Sequence, residues 1–164
     1  MVQATLKKLK DKSIGKKVII RKACISDLNA MTGLLSELFN IETDFVPNVR
    51  RQRQGLADLM QYRREATLLV AVIGNNIIGM CTLQSLISTA EGGKVGLVED
   101  LVVAASHRKS GIGQELLKEI EIIARAEGMS RLQLLSDRSN GVASNFYDCL
   151  GWVTTNMSAY RKKF

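Results

Sequence analysis

Leu101-Val102-Val103-Ala104-Ala105-Ser106-His107-Arg108-Lys109-Ser110-Gly111-Ile112-Gly113-Gln114 passes from a β-branched stretch through a basic turn into a helical pattern. Two glycines let such a turn close tightly and come near a ligand. The first amides of the helix that follows have no partner within it, and its dipole favours an anion there by ~0.3–1 kcal/mol. Arg108 and Lys109 add formal positive charge beside those donors. The stretch therefore reads as a strand, a diphosphate cradle and a helix, although a turn that merely caps the junction has the same local pattern. Two other nucleotide motifs are excluded. No Gly-Lys-Ser/Thr follows the turn, as a P-loop requires, and Leu116 stands where a dinucleotide fold needs its third glycine.

The pattern on either side sets the fold class. Before the turn, Thr67 to Ile73, a Gly74-Asn75-Asn76 turn, Ile77 to Ile87, a Gly92-Gly93 turn and Val95 to Val103 predict three consecutive antiparallel strands. After it, Ile112, Leu116, Ile120, Ile123 and Ala124 mark one face of a long helix ending near Gly128. Toward the start, Val18 to Ala23 predicts a strand, Ser26-Asp27 caps a helix through Leu38, and Val49 to Arg63 is a second helix after Pro47. Toward the end, Leu132 to Leu135 predicts a strand, Val142 to Leu150 a short helix, and Trp152 to Tyr160 a final strand. The expected fold is one mixed α/β (α+β) domain over residues 18–164, a mostly antiparallel sheet flanked by helices.

Bulk properties narrow the class. The 164 residues suit one globular domain, and the single Pro leaves no room for a Pro-rich linker. Most of the formal charge of +7 lies in residues 1–17, where Lys7, Lys8, Lys10, Lys12, Lys16 and Lys17 outweigh Asp11. This segment reads as a Lys-rich arm, solvated rather than phosphate-binding. Cys24, Cys81 and Cys149 are odd in number and match no disulfide or zinc spacing. The longest apolar run, Leu68 to Ile73, cannot span a bilayer and no signal-peptide segment follows the lysines, so no membrane partner and a cytoplasmic location are expected.

Two blocks together carry a family likeness. Leu101-Val102-Val103 followed by His107-Arg108-Lys109-Ser110-Gly111-Ile112-Gly113, and downstream Asn140-x-x-Ala143-x-x-Phe146-Tyr147-x-x-x-Gly151-Trp152, resemble the coenzyme A motif and the following helix motif of the GCN5-related N-acetyltransferase (GNAT) superfamily. The likeness is strongest over about 95–155 and extends back to residue 18. It departs at Trp152, where the family commonly has Phe, and at Ala104-Ala105, which replace a polar-Pro pair.

The resemblance implies a GNAT-type fold whose splayed strands admit acetyl-CoA as co-substrate. Backbone groups of Leu101, Val102 and Val103 would pair with its pantetheine arm as an added strand. The amides of Lys109, Ser110, Gly111, Ile112, Gly113 and Gln114, with Arg108, would hold the pyrophosphate, and Asn140 the coenzyme chain. It also implies that Tyr147 faces the thioester sulfur, binds the cofactor and protonates the departing thiolate; the bland alternative is a ring packed in the core. A strand amide near Leu101 would stabilise the carbonyl oxygen.

Acyl transfer to an amine must also remove a proton. An alkylammonium with a reference pKa of ~10.4 costs about 4.6 kcal/mol to neutralise at pH 7. Glu99 and Asp100 precede the cofactor strand, and strict alternation would place them on opposite faces. Glu99 is the expected base, supported by an acidic residue at the corresponding place in relatives acting on polyamines and amino sugars; a solvated or ion-paired Glu99 is the alternative. Cys149 lacks a neighbouring His and reads as packing, and His107 has no companions for a metal site.

The expected reaction is direct attack by a primary amine, on a small molecule or a peptide, with the acceptor unspecified and no metal. A non-catalytic acyl-CoA-binding sensor shares the fold. A nucleic-acid module, prompted by the lysines and by Arg50, Arg51, Arg53, Arg63 and Arg64, is the weakest reading. A homodimer fits the family.

Overall fold

The computed structural model describes residues 7–10, 17–42, 44–62 and 64–164, with backbone alone for 7–10. Its strands are β1 (Lys7–Lys10), β2 (Lys17–Lys22), β3 (Ala66–Ile73), β4 (Asn76–Ser88), β5 (Gly93–Val103) and β6 (Leu132–Leu134). Its helices are α1 (Leu28–Phe39), α2 (Val49–Gln61), α3 (Ile112–Ala126) and α4 (Gly141–Cys149). One sheet holds the strands in the order β1-β2-β3-β4-β5-β6. Each neighbouring pair is antiparallel except β5 and β6, which run parallel.

Pleating sorts the apolar run of β3 onto two faces. Leu69, Ala71 and Ile73 join Val18, Ile20, Cys81, Leu83 and Val98 beneath α3, whose Ile112, Leu116, Leu117, Ile120 and Ala124 form the buried seam. Leu68, Val70 and Val72 face the other way, with Met80 and Val102, against Leu28, Met31, Leu34 and Leu35 of α1 and Leu56 of α2. A strand covered on both sides has no polar face, which is why residues 68–73 are continuously apolar. The β3–β4 turn is Gly74-Asn75, with Gly74 at φ 58°. In α2 the Asn48 side chain caps the helix by accepting from the Arg51 amide at 3.0 Å.

Two expectations change. Trp152 to Tyr160 does not form a strand. Trp152 packs against the α3-side core and its amide donates to the Tyr147 carbonyl, while everything beyond is irregular, with a bend at Asn156, and exposed. β-propensity supplies no partner by itself, and no edge of this sheet meets the segment. Part of the Lys-rich arm, in contrast, is sheet: Lys7–Lys10 pairs with Lys17 to Ile20 as the outermost strand. Lysines on an edge strand discourage further pairing, so their number there suits that place. Residues 1–6 and 11–16 lie outside the described residues.

Candidate active site

The turn between β5 and α3 has the form expected of an anion cradle. A short 3-10 turn at Ala105–His107 leads into Lys109 at φ 60° and Gly111 at φ 88°, two left-handed residues that aim successive amides inward. The first helical bond of α3 runs from the Glu115 amide to the Gly111 carbonyl. Among the described residues, the amides of Ser110 to Gln114 donate to no protein acceptor. Gly111 carries the left-handed turn, and a Cβ there would meet nothing within 4 Å. Gly113 plays a different part, since its Cβ would point at Phe146, 3.5 Å away, and at Val103, so this glycine sits between α3, α4 and β5.

Arg108 is turned away from the cradle. Its Nε donates to the Val103 carbonyl at 2.9 Å, and its guanidinium lies 3.5 Å from Glu37 of α1. Glu37 also accepts from the Ala105 amide at 3.1 Å. These bonds brace the strand end against α1, a role of Glu37 that nothing local in the sequence signals. Ser110 donates to the His107 carbonyl at 2.5 Å, and Lys109 is exposed.

Beside the cradle the sheet parts. β6 pairs with β5 only over Gly96 to Val98, so Glu99 to Val103 have a neighbour on the β4 side alone. The Ala104 amide bonds the Ile78 carbonyl, and alternation along an antiparallel ladder then turns the amide and carbonyl of Val103, and those of Leu101, toward the gap. Val102 instead buries its side chain against α1 and α2. The open edge and the cradle amides are contiguous and follow from one stretch of chain.

α4 forms one wall of the gap. The Asn140 side chain accepts from the Ala143 amide at 3.1 Å as the helix cap, which leaves its NH2 group for other partners. Tyr147 packs edge-on to Phe146, with centroids 5.3 Å apart, and lies 6.0 Å from Trp152. Burial pushes its phenol up to about 12, helped by Cys81 and the Glu42 carboxylate.

The carboxylates differ from expectation. Met80 faces Val102 and Thr82 faces Glu99, so Asp100 and Leu101 share the place opposite Cys81. This bulge puts Asp100 at φ 53° and breaks the alternation that would have sent Glu99 and Asp100 to opposite faces. Glu99 is exposed and accepts from Gln84 Nε2 at 2.7 Å. Asp100 is half-buried, with Oδ2 3.4 Å from the Thr82 hydroxyl, which also donates to the Glu99 carbonyl at 3.0 Å. Burial, then the charges of Glu99 and Glu42, push Asp100 up to about 6. Glu42, in the turn after α1, is itself pushed up by burial and by Asp137, Asp44 and Glu99. The Cys81 thiol is raised by its own burial and by Asp100.

The structure thus brings Asp100 and Tyr147 within electrostatic reach of Cys81, with Glu42 within reach of both and Glu99 exposed beside Asp100. Asp100 was in view in the sequence but its burial was not, and Glu42 carried no signal. Among the described residues no group of three or more His, Cys, Asp or Glu could hold a metal ion, and no helix is long and apolar enough to cross a membrane.

Comparison with known proteins agrees with this geometry. The model of the Acetyltransferase (GNAT) family matches residues 35–152. Glucosamine 6-phosphate N-acetyltransferase of Trypanosoma brucei brucei is 30% identical over 102 residues, covering 59% of this chain and 67% of that protein. A solved acetyltransferase of Trypanosoma brucei is similar at 26% identity and TM-score 0.71, over 89% of this chain and 99% of that one. A possible acetyltransferase of Clostridium difficile shares the fold at TM-score 0.80 and 18% identity, over 90% and 97%. With a cradle, an open strand edge and a family match spanning most of its length, the chain belongs to the GNAT acetyltransferase family and is an N-acetyltransferase.

Proposed function

We propose that this protein transfers the acetyl group of acetyl-CoA to a primary amine by direct attack within a ternary complex. The observation that carries the reading is the continuity of the Ser110–Gln114 amides with the outward-turned backbone of Leu101 and Val103. A diphosphate needs the first, and an amide-bearing arm needs the second. Lys109, exposed beside the cradle, supplies mobile positive charge, and the free NH2 of Asn140 suits the coenzyme chain.

The proton balance favours Asp100 over Glu99 as the base. A carboxylate near 6 takes a proton at neutral pH with far more driving force than one at the usual ~4. The ammonium gives one proton to Asp100, directly or through water, and the amine nitrogen then attacks the thioester carbonyl carbon. A C–N bond forms and the C–S bond breaks. With Tyr147 up at about 12 and a free thiol at ~8.5, full protonation of the thiolate by the phenol alone is uphill by roughly 5 kcal/mol. Tyr147 therefore serves as a hydrogen-bond donor to the developing thiolate and completes the transfer only as the acylated nitrogen returns a proton to it. Glu42 and Glu99 hold the ammonium by charge.

The first acceptor to test is glucosamine 6-phosphate, on the strength of the trypanosome relative, alongside polyamines, amino acids and a lysine peptide. Acetyl-CoA is mixed with each amine and followed by thiol release and by the mass gained on the amine. Turnover with one of them supports the reading. Tight binding of acetyl-CoA with no amine acetylated would favour a sensor domain instead.

A further inference from the structure

β4 and β5 meet across a bulge, and a hydroxyl sits at it. Thr82 is 1% exposed and faces Glu99, just before the bulged pair Asp100 and Leu101. Its surroundings call for an apolar side chain. Leu68 lies opposite it on β3 and Met80 lies two residues earlier on the same face of β4, both in the layer beneath α1. Valine has the shape of threonine and would fill that place without a polar atom. A buried hydroxyl costs free energy unless it is bonded, and this one has two acceptors, the Glu99 carbonyl at 3.0 Å and Asp100 Oδ2 at 3.4 Å. It has one hydrogen to give and lone pairs with which to receive another.

We infer that Thr82 is the positioning residue of Asp100: its hydroxyl ties the carboxyl to the bulged backbone and reverses its hydrogen bond when the carboxyl gains a proton. With Asp100 ionised, Thr82 donates to Oδ2. With Asp100 protonated there, the acid O–H donates to Thr82 Oγ1, and the Thr82 hydrogen turns to the Glu99 carbonyl by rotation about the C–O bond. Asp100 keeps a partner in both states, and Thr82 neither gains nor loses a proton. The groups around Asp100 give this bond its weight. Burial opposes ionisation, Glu99 on the same strand and Glu42 after α1 repel the charge, and Cys81 of β4 and Tyr147 of α4 are neutral at pH 7. The Thr82 bond acts the other way. A hydrogen bond to a charged acceptor is stronger than one to a neutral partner, so loss of the hydroxyl should push Asp100 up by about 0.5–1 pH unit. The kinetic consequence rests on the reading of Asp100 as the base; the bond itself stands on the geometry.

The test is the carbon NMR signal of the Asp100 carboxyl, followed against pH in the full chain with labelled aspartate and assigned by its loss in Asp100→Asn. Beside it runs the pH dependence of kcat/KM with acetyl-CoA and whichever amine named above is acetylated. In Thr82→Val the carboxyl should titrate about 0.5–1 unit above the parent, and in Thr82→Ser close to the parent. The acid limb of kcat/KM should move with the carboxyl, while KM for acetyl-CoA stays the same. Thr82→Ala carries the expectation of Thr82→Val should the valine variant fail to fold. A carboxyl that titrates in these variants where it does in the parent overturns the inference, and so does a serine variant shifted as far as they are. A carboxyl that shifts as expected under a kinetic limb that stays put supports the Thr82 bond and refutes Asp100 as the base, so the two readings fail separately.

Discussion

Replacing Asp100 by asparagine removes a charge that the fold holds against its own stability. The side chain keeps its size, and asparagine tolerates the left-handed backbone at φ 53° as well as aspartate does. The carboxyl titrates near 3.9 in an unfolded chain and at about 6 in the folded one. A carboxylate whose folded pKa is raised destabilises the fold above that value, and the penalty disappears as both states become protonated below about pH 4. A difference of about two units corresponds to ~3 kcal/mol, and partial exposure brings the expectation to about 1–3 kcal/mol. Asp100→Asn should therefore be more stable than the parent at pH 7.5 by that amount in urea unfolding, with the gain fading between pH 6 and 4. Loss of the base should lower kcat by about 10²–10⁴, with acetyl-CoA affinity retained. A variant that is no more stable at pH 7.5 and turns over normally would refute both the burial argument and the assignment of Asp100.

Other expectations follow from the same geometry. In the parent enzyme kcat/KM should rise with pH through about 6 as Asp100 ionises, and this limb should vanish in Asp100→Asn, whereas Glu99→Gln should weaken acceptor binding without moving it. Tyr147→Phe should lower kcat more than tenfold with little change in melting temperature, since the ring contacts with Phe146 and Trp152 survive. Gly111→Ala forces a side chain to φ 88°, which should cost about 1–2 kcal/mol in denaturant unfolding and weaken acetyl-CoA binding measured by calorimetry. Gly96→Ala places a Cβ 2.4 Å from Leu132 and 2.6 Å from Leu83, so the β5–β6 junction should loosen by about 1–3 kcal/mol, read by unfolding and by faster amide exchange in β6. Asp27, held down to about 2 chiefly by its bonds to Arg21, adds stability that is complete above about pH 4 and lost as pH falls through 2; Asp27→Asn should cost about 2 kcal/mol at pH 7 and flatten that acid limb.

What the sequence made legible was whatever is written locally. The 108–113 turn could be read because glycine, basic residues and a change of period from strand to helix all fall within a dozen positions. The α3 seam at Ile112, Leu116, Ile120 and Ala124 is a helical repeat and was equally plain. Asp100 could not be read as buried, because its place depends on a register shift opposite Cys81, a property of two strands rather than one. Glu37 and Glu42 reach the site only through the docking of α1 on the sheet, more than fifty residues away along the chain from β5. Arg108 is a phosphate ligand by position in the sequence, and the contacts it makes with Val103 and Glu37 in this structure depend on the docking of α1, which no local pattern signals. Trp152 to Tyr160 had the composition of a strand and found no edge in its own chain, and Lys7–Lys10 had the composition of an arm and joined one. In both cases the neighbour, and not the segment, decided the outcome.

The most direct test of the account is amide hydrogen exchange with and without acetyl-CoA, read residue by residue across β5 and the start of α3. Protection should appear at Leu101, Val103 and Ser110 to Gln114 and spare Val102, whose amide belongs to the β4 pairing. Binding that leaves the 110–114 amides exchanging at their free rate, or no binding at millimolar ligand and low ionic strength, would contradict it.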